Sequence, residues 1–229
     1  MRTTSRAAAL AIGLACAVAT TTAVALPAMT RSEAEALAKS ANLEAADLPD
    51  FTASRPGSSN GDPRADARFA KCAGSVPSSK LLADVPSSDY VRETDTSYTA
   101  ISSDVQVMPT ASLVRKDVKA AKTTRARNCL AAVLRRQLNG QGTHVTRVSV
   151  AALKPGVPGG YAFRVKVVAQ EQGVTVRVYS DMLGFGDGPV EAGLIVTTAL
   201  RPFARSEENR LLDIVRTRVN AQLNKDAIV

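Results

Sequence analysis

Four runs of alternating apolar and polar residues in the second half of the chain constrain its fold most. They span residues 144–152, 161–170, 174–182 and 190–200. In the second run Phe163, Val165 and Val167 point one way and Arg164 and Lys166 the other. That period of two is the mark of a strand with one buried face. The connections hold Pro155-Gly156-Val157-Pro158-Gly159-Gly160, Glu171-Gln172-Gly173 and Gly184-Phe185-Gly186-Asp187-Gly188. Short glycine-bearing turns between such runs predict antiparallel hairpins. A fifth run, 98–108, places Ile101, Val105 and Val107 on one face.

Helical periodicity fills much of the rest. Ser32-Glu33-Ala34-Glu35 has the form of a capping box and opens a helix to about Asn42, which Asp47-Leu48-Pro49-Asp50-Phe51 breaks. Residues 54–63 read as a surface loop. Ala65, Phe69 and Cys72 then share one helical stripe, and 73–93 reads as loop, rich in Ser and Pro. Helices are predicted over 110–122 and 124–138, the second with Ala126, Leu130, Val133, Leu134 and Leu138 inward and Asn139-Gly140 at its end. A last helix over 206–223 presents Leu211, Leu212, Val215, Val219 and Leu223 to the sheet. The expected class is α+β, an antiparallel sheet of five or six strands packed with helices.

The N-terminus points to export. Arg2 and Arg6 precede an uncharged stretch, 7–28, and Ala23-Val24-Ala25 is a small-x-small cleavage signal. This is the shape of a signal peptide over 1–25, leaving one exported domain over 26–229 with a loop-rich N-terminal part. Cleavage removes Cys16 and leaves Cys72 and Cys129, the simplest pair for one disulfide in an oxidising compartment. Two other fates stay open: a lipid on Cys16, despite Gly13 three residues before it, or a retained anchor. Only these would bring the chain to a membrane.

Composition narrows the partners. Aromatic residues make up 4% and Trp is absent, so the core rests on Val, Leu, Ile and Ala, and platforms for stacking sugars or nucleic acid are not expected. The net charge of +8 falls to +6 without Arg2 and Arg6, which favours anionic neighbours such as wall polymers, acidic lipids or an acidic protein.

No catalytic, cofactor or metal constellation stands out. His144 is the one histidine, too few for zinc, and no nucleophile elbow accompanies it for a triad. Gly184-Phe185-Gly186-Asp187-Gly188 lies between strands and opens no helix, so it lacks the N-terminus that holds phosphate. Asp95, Asp104 and Asp181 stand apart from one another. The expectation is a non-enzymatic module, the rival a secreted hydrolase working with carboxylates alone.

One face suggests a contact surface. Arg164 and Lys166 on one strand and Arg177 and Tyr179 on the next lie opposite the apolar side. With Glu171-Gln172 as the turn, Lys166 falls across from Arg177 and Arg164 across from Tyr179. Like charges so placed repel mildly, and an anionic partner would relieve them. A helix covering this face would remove that role.

The segments RFAKCAG, RNCLAAVLRRQL, YAFRVKVVAQEQGVTVRVY and RPFARSEENRLLDIVRTRV, with their order of elements, resemble a group of exported actinobacterial domains. These are the PknH-like extracellular sensor-like domains and the LpqN-type envelope lipoproteins, whose fold is similar to a PsbP-like sandwich. The resemblance covers about residues 30 to 225 and implies a non-catalytic binding or accessory module of the cell envelope. Against the sensor type no preceding kinase domain is expected, and the residues around Cys16 depart from the lipoprotein type.

Overall fold

All five long alternating runs form strands, and they pair in one antiparallel sheet. The computed structural model describes residues 29–54, 63–140, 144–171 and 174–226. The leader with Cys16, most of the 54–63 loop and the residues Gln172 and Gly173 lie outside them. In chain order the elements are α1 (Arg31–Ala41), β1 (Thr52–Ser54), α2 (Pro63–Ala73), β2 (Ala83–Pro86), β3 (Asp89–Thr94) and β4 (Ser97–Val107). Then follow α3 (Ala111–Ala121), α4 (Thr124–Gly140), β5 (His144–Ala152), β6 (Tyr161–Glu171), β7 (Val174–Asp187), β8 (Val190–Ala199) and α5 (Arg205–Asp226).

The sheet has eight strands in the order β1-β3-β4-β8-β7-β6-β5, with β2 also on β4. The extra strands are short and fall where the sequence reads as loop. β3 pairs with the start of β4 and β2 with its end, so the two share one edge. Ser87, between them, keeps that edge bonded: its N–H donates to Ser103 O at 2.8 Å, and its Oγ accepts from Ser103 N at 2.9 Å.

Two local expectations are corrected. The first helix is capped by Thr30, not Ser32: Thr30 Oγ1 accepts from Glu33 N at 3.3 Å, and Thr30 N donates to Glu33 Oε2 at 2.7 Å. The stretch Gly184 to Gly188 is no loop, since β7 continues to Asp187 and only Gly188 and Pro189 turn. Its glycines serve packing instead. A Cβ on Gly184 would come within 2.4 Å of the Tyr161 ring, and one on Gly186 within 2.5 Å of Val114.

Alternation sorts the sheet residues onto two sides. The first carries Ile101, Val105 and Val107 of β4, Leu183 and Phe185 of β7, and Val190, Ala192, Leu194 and Val196 of β8. Leu211, Leu212, Val215 and Val219 of α5 and Ala34, Leu37, Ala38 and Ala41 of α1 pack on it, all buried. Burying each such large side chain is worth about 1.5–3 kcal/mol. Polar pins fix the two helices. Ser103 Oγ donates to Asn42 Oδ1 at 2.8 Å, and Arg218 grips both carboxylate oxygens of Asp47 at 2.7 and 3.0 Å.

The second side carries α3 against the ends of β7 and β8, while α4 runs along β5. Helix α2 packs on α4, and the Cys72–Cys129 disulfide joins them with Cα atoms 5.9 Å apart. Closing the 57-residue separation stabilises the fold by about 4 kcal/mol on the chain-entropy account. Among the described residues no helix is long and apolar enough to cross a membrane.

Candidate functional site

The face that the sequence singled out is rearranged by its register. Glu171 pairs with Val174, one residue later than expected. Lys166 therefore faces Tyr179, Arg164 faces Asp181, and Arg177 faces Val168, so the Lys166–Arg177 repulsion is absent. Lys166 Nζ sits 5.7 Å from the centre of the Tyr179 ring. Arg164 forks onto Asp181, with Nε to Oδ1 at 2.6 Å and an Nη to Oδ2 at 2.5 Å. Asp181, far from standing alone, is buried and also lies against Glu208 at the start of α5. Arg205 pairs with Glu208 and donates to Lys154 O at 2.7 Å. Burial, then the hydrogen bond and charge of Asp181, push the Glu208 carboxyl up to about 7. These four residues lie on the side that α5 packs against, and the Arg164 charge is taken up within the fold.

The second side holds two charged features, one on each flank of α3. Thr110 caps this helix, its hydroxyl accepting from Leu113 N at 3.3 Å. Val114 and Val118, one turn apart, point down onto the sheet and pack with Met108. That orientation sends Arg115, Lys119 and Lys122, at i, i+4 and i+7, to one flank and Asp117 to the other.

On the basic flank the three cations, with Gly159, Gly186, Asp187 and Gly188, line a cavity of about 410 Å³. Lys122 Nζ donates to Gly159 O, which ties the rim to the β5–β6 connection. Arg115 and Lys119 are exposed and make no ion pair among the described residues.

On the acidic flank Asp117 Oδ1 accepts from Val76 N. Close by is Glu191 of β8, whose Oε1 accepts from the Tyr161 hydroxyl at 3.1 Å. Glu191 is 6% exposed, and its Oε2 meets no donor. Burial and the charge of Asp117 push its carboxyl up to about 8. At neutral pH Glu191 therefore keeps its proton and can share it with Asp117, whose own carboxyl is raised by burial. Burial, with the Glu191 charge, lifts the Tyr161 hydroxyl far above its ordinary range.

A second carboxyl pair lies beside the first. Asp104 of β4 sits opposite Gly193 of β8, and Asp84 of β2 opposite Gln106. Burial, then the charge and hydrogen bond of Asp84, push Asp104 up to about 7, while Gln106 Nε2 donates to its Oδ2 at 2.9 Å. In the sequence Asp104 stands alone, and nothing there marks Glu191, Asp117 or Tyr161. What brings them together is the β4–β8 pairing, between strands far apart in the chain. His144 is exposed at the start of β5. No group of three or more His, Cys, Asp or Glu among the described residues is arranged to hold a metal ion.

No family model matches the sequence, and no curated protein does. Solved structures with similar chains include two mycobacterial proteins. The extracellular domain of PknH from Mycobacterium tuberculosis aligns with a TM-score of 0.46 and 12% identity, over 86% of this chain and 100% of that one. LpqN of the same organism, described as involved in cell envelope biogenesis, aligns with a TM-score of 0.28 and 10% identity, over 58% and 68%. Both are of the types that the sequence pattern resembles.

Proposed function

We propose that this chain is an exported, non-catalytic binding domain of the cell envelope that takes an anionic ligand between α3 and the β7–β8 turn. The observation that carries this reading is the cavity of about 410 Å³ flanked by Arg115, Lys119 and Lys122. Its size suits a small ligand or one segment of a polymer. Arg115 offers a fork of donors, Lys119 a point charge, and the glycine floor lets an anion approach the backbone. Only Asp187 opposes the three cations in the lining. The leader and the Cys72–Cys129 bond support export.

The test is titration with inorganic pyrophosphate by calorimetry. Binding should saturate, weaken as salt rises, and drop at least tenfold in the double variant Arg115→Gln with Lys119→Gln. Unchanged affinity in that variant would show that the ligand does not bind in this cavity.

The hydrolase reading draws on a different observation, the proton-holding carboxyls Asp104 and Glu191. It requires turnover of an ester or glycan substrate that Asp104→Asn abolishes.

A further inference from the structure

Strand β7 outruns its neighbour. β6 begins at Tyr161, opposite Gly184, whereas β7 runs on to Asp187. On its other edge β7 stays paired with β8 as far as Asp187 and Val190, which the two-residue turn Gly188-Pro189 joins. A two-residue hairpin closes on a pair that exchanges both backbone hydrogen bonds, and the pattern alternates from there. Asp187 and Phe185 therefore bond to β8. Gly186 turns its N–H and C=O the other way, towards where β6 would continue. Were the ladder to go on, Gly159 would stand opposite Gly186. Gly159 instead has a φ of 73° and leaves the sheet in a turn, where Gly160 N–H donates to Val157 O at 3.2 Å. Among the described residues no turn or loop hydrogen bond reaches the Gly186 backbone. Both glycines are exposed and line the cationic cavity, so the cavity occupies the place of the next rung of the ladder.

The cations sit over that vacant rung. A Cβ on Gly186 would come within 2.5 Å of Val114, so α3 lies directly above this edge. Lys122 is committed to Gly159 O, while Arg115 and Lys119 make no ion pair among the described residues. Ala111, Val114 and Val118 supply an apolar wall. A simple oxyanion matches only part of this lining. It can take the Gly186 N–H, but its oxygens would face the Gly186 carbonyl oxygen. A ligand that matches both needs a donor one residue's width from its negative charge. The last residue of a peptide has that form, an amide N–H followed by a carboxylate.

On the basis of the anionic reading of this cavity, we propose that its ligand is the free carboxylate end of a peptide, added to β7 as one further rung. The terminal N–H donates to Gly186 O. One carboxylate oxygen accepts from Gly186 N–H, and the other meets Arg115 and Lys119. Cross-strand partners share a face of the sheet, so the terminal side chain points towards α3, against Val114 and Val118. That wall favours a small side chain such as alanine.

The experiment uses the folded, disulfide-bonded protein and N-acetyl-alanyl-alanine, compared by calorimetry with two analogues. The C-terminal amide of the same peptide lacks the charge and should bind at least about tenfold more weakly. N-acetyl-alanyl-lactate keeps the carboxylate but replaces the terminal N–H by an ester oxygen, and it should bind about fivefold more weakly or worse. Arg115→Gln with Lys119→Gln should weaken the free acid about tenfold. Hydrogen exchange of the Gly186 amide should slow with the free acid, and pyrophosphate should displace the peptide. Equal binding of the C-terminal amide or of the lactate analogue, or an unaltered Gly186 amide, would overturn the proposal. Binding of pyrophosphate without binding of the peptide would overturn it too, and would leave the anionic reading standing. Failure of both probes would remove that reading and the proposal together.

Discussion

The two sides of the sheet are built to different rules. On the α1–α5 side Leu211, Leu212, Val215 and Val219 are fully buried, and most polar groups meet a partner of opposite charge or a donor: Arg218 on Asp47, Asn42 on Ser103, Arg164 on Asp181, and Arg205 on Glu208 even where Glu208 lies against Asp181. On the α2–α4 side Leu130, Val133, Leu134 and Leu138 of α4 are only half-buried. Cations there line an open cavity, and acids face acids. A side whose interactions close on themselves holds the fold, whereas one that leaves charge unmatched has interactions to offer a ligand.

The contrast is sharpest in the cores. Leu212→Ala should cost about 3–5 kcal/mol in denaturant unfolding, since it opens a void in a tight layer. Leu134→Ala should cost about 1 kcal/mol, because a half-exposed side chain leaves little to lose. Equal losses would erase the distinction between the two sides.

The α2–α4 side relies on its covalent link. Replacing Cys72 and Cys129 together by Ala should remove about 4 kcal/mol and lower the melting temperature by on the order of 10 °C. A calorimetric melt of oxidised and variant protein measures this, and coincident melts would mean that α2 and α4 hold without the bond.

Within the face first read as a contact surface, Arg164 and Lys166 should behave oppositely. Arg164→Gln strands Asp181, which is 2% exposed, and should cost about 3 kcal/mol. Lys166→Gln should change stability by less than about 0.5 kcal/mol, as at an ordinary surface site. Urea unfolding of the two variants decides this, and a reversed order would mean that the register is wrong.

The acids make a pH signature. Glu191 is raised to about 8, and Asp104 and Glu208 to about 7, above the values of an unfolded chain. Between the unfolded value and the raised one, the folded protein holds more protons than the unfolded chain. Stability therefore grows as pH falls from about 8 towards 5 and is lost as pH rises through the same window. For Glu191 alone the change is on the order of 2–4 kcal/mol. Glu191→Gln, neutral at every pH, should flatten the slope in melting curves between pH 5 and 8. An unaltered slope would show that Glu191 ionises normally.

What the sequence disclosed tracks how local each cause is. The long strands and α3 to α5 were legible because their periodicity runs for nine residues or more. Strands β1 to β3, of three to six residues, are too short to show a period and owe their form to the edge they pair with. Gly184 and Gly186 misled because glycine marks both turns and close approaches, and here Tyr161 and Val114 decide. A one-residue error at Glu171 was enough to misplace Arg164, hiding its pairing with Asp181. The carboxyl cluster was beyond reach, since Asp84, Asp104, Asp117 and Glu191 meet only through pairings between strands distant in sequence and the seating of α3.

The proposed division of labour makes the α2–α4 side the binding side. Amide chemical-shift mapping with pyrophosphate tests it most directly. Saturable changes should appear at Arg115, Lys119, Lys122, Gly159 and Gly186, with the α1 and α5 amides unmoved. Changes centred on Lys166 and Arg177, or spread along α5, would contradict it.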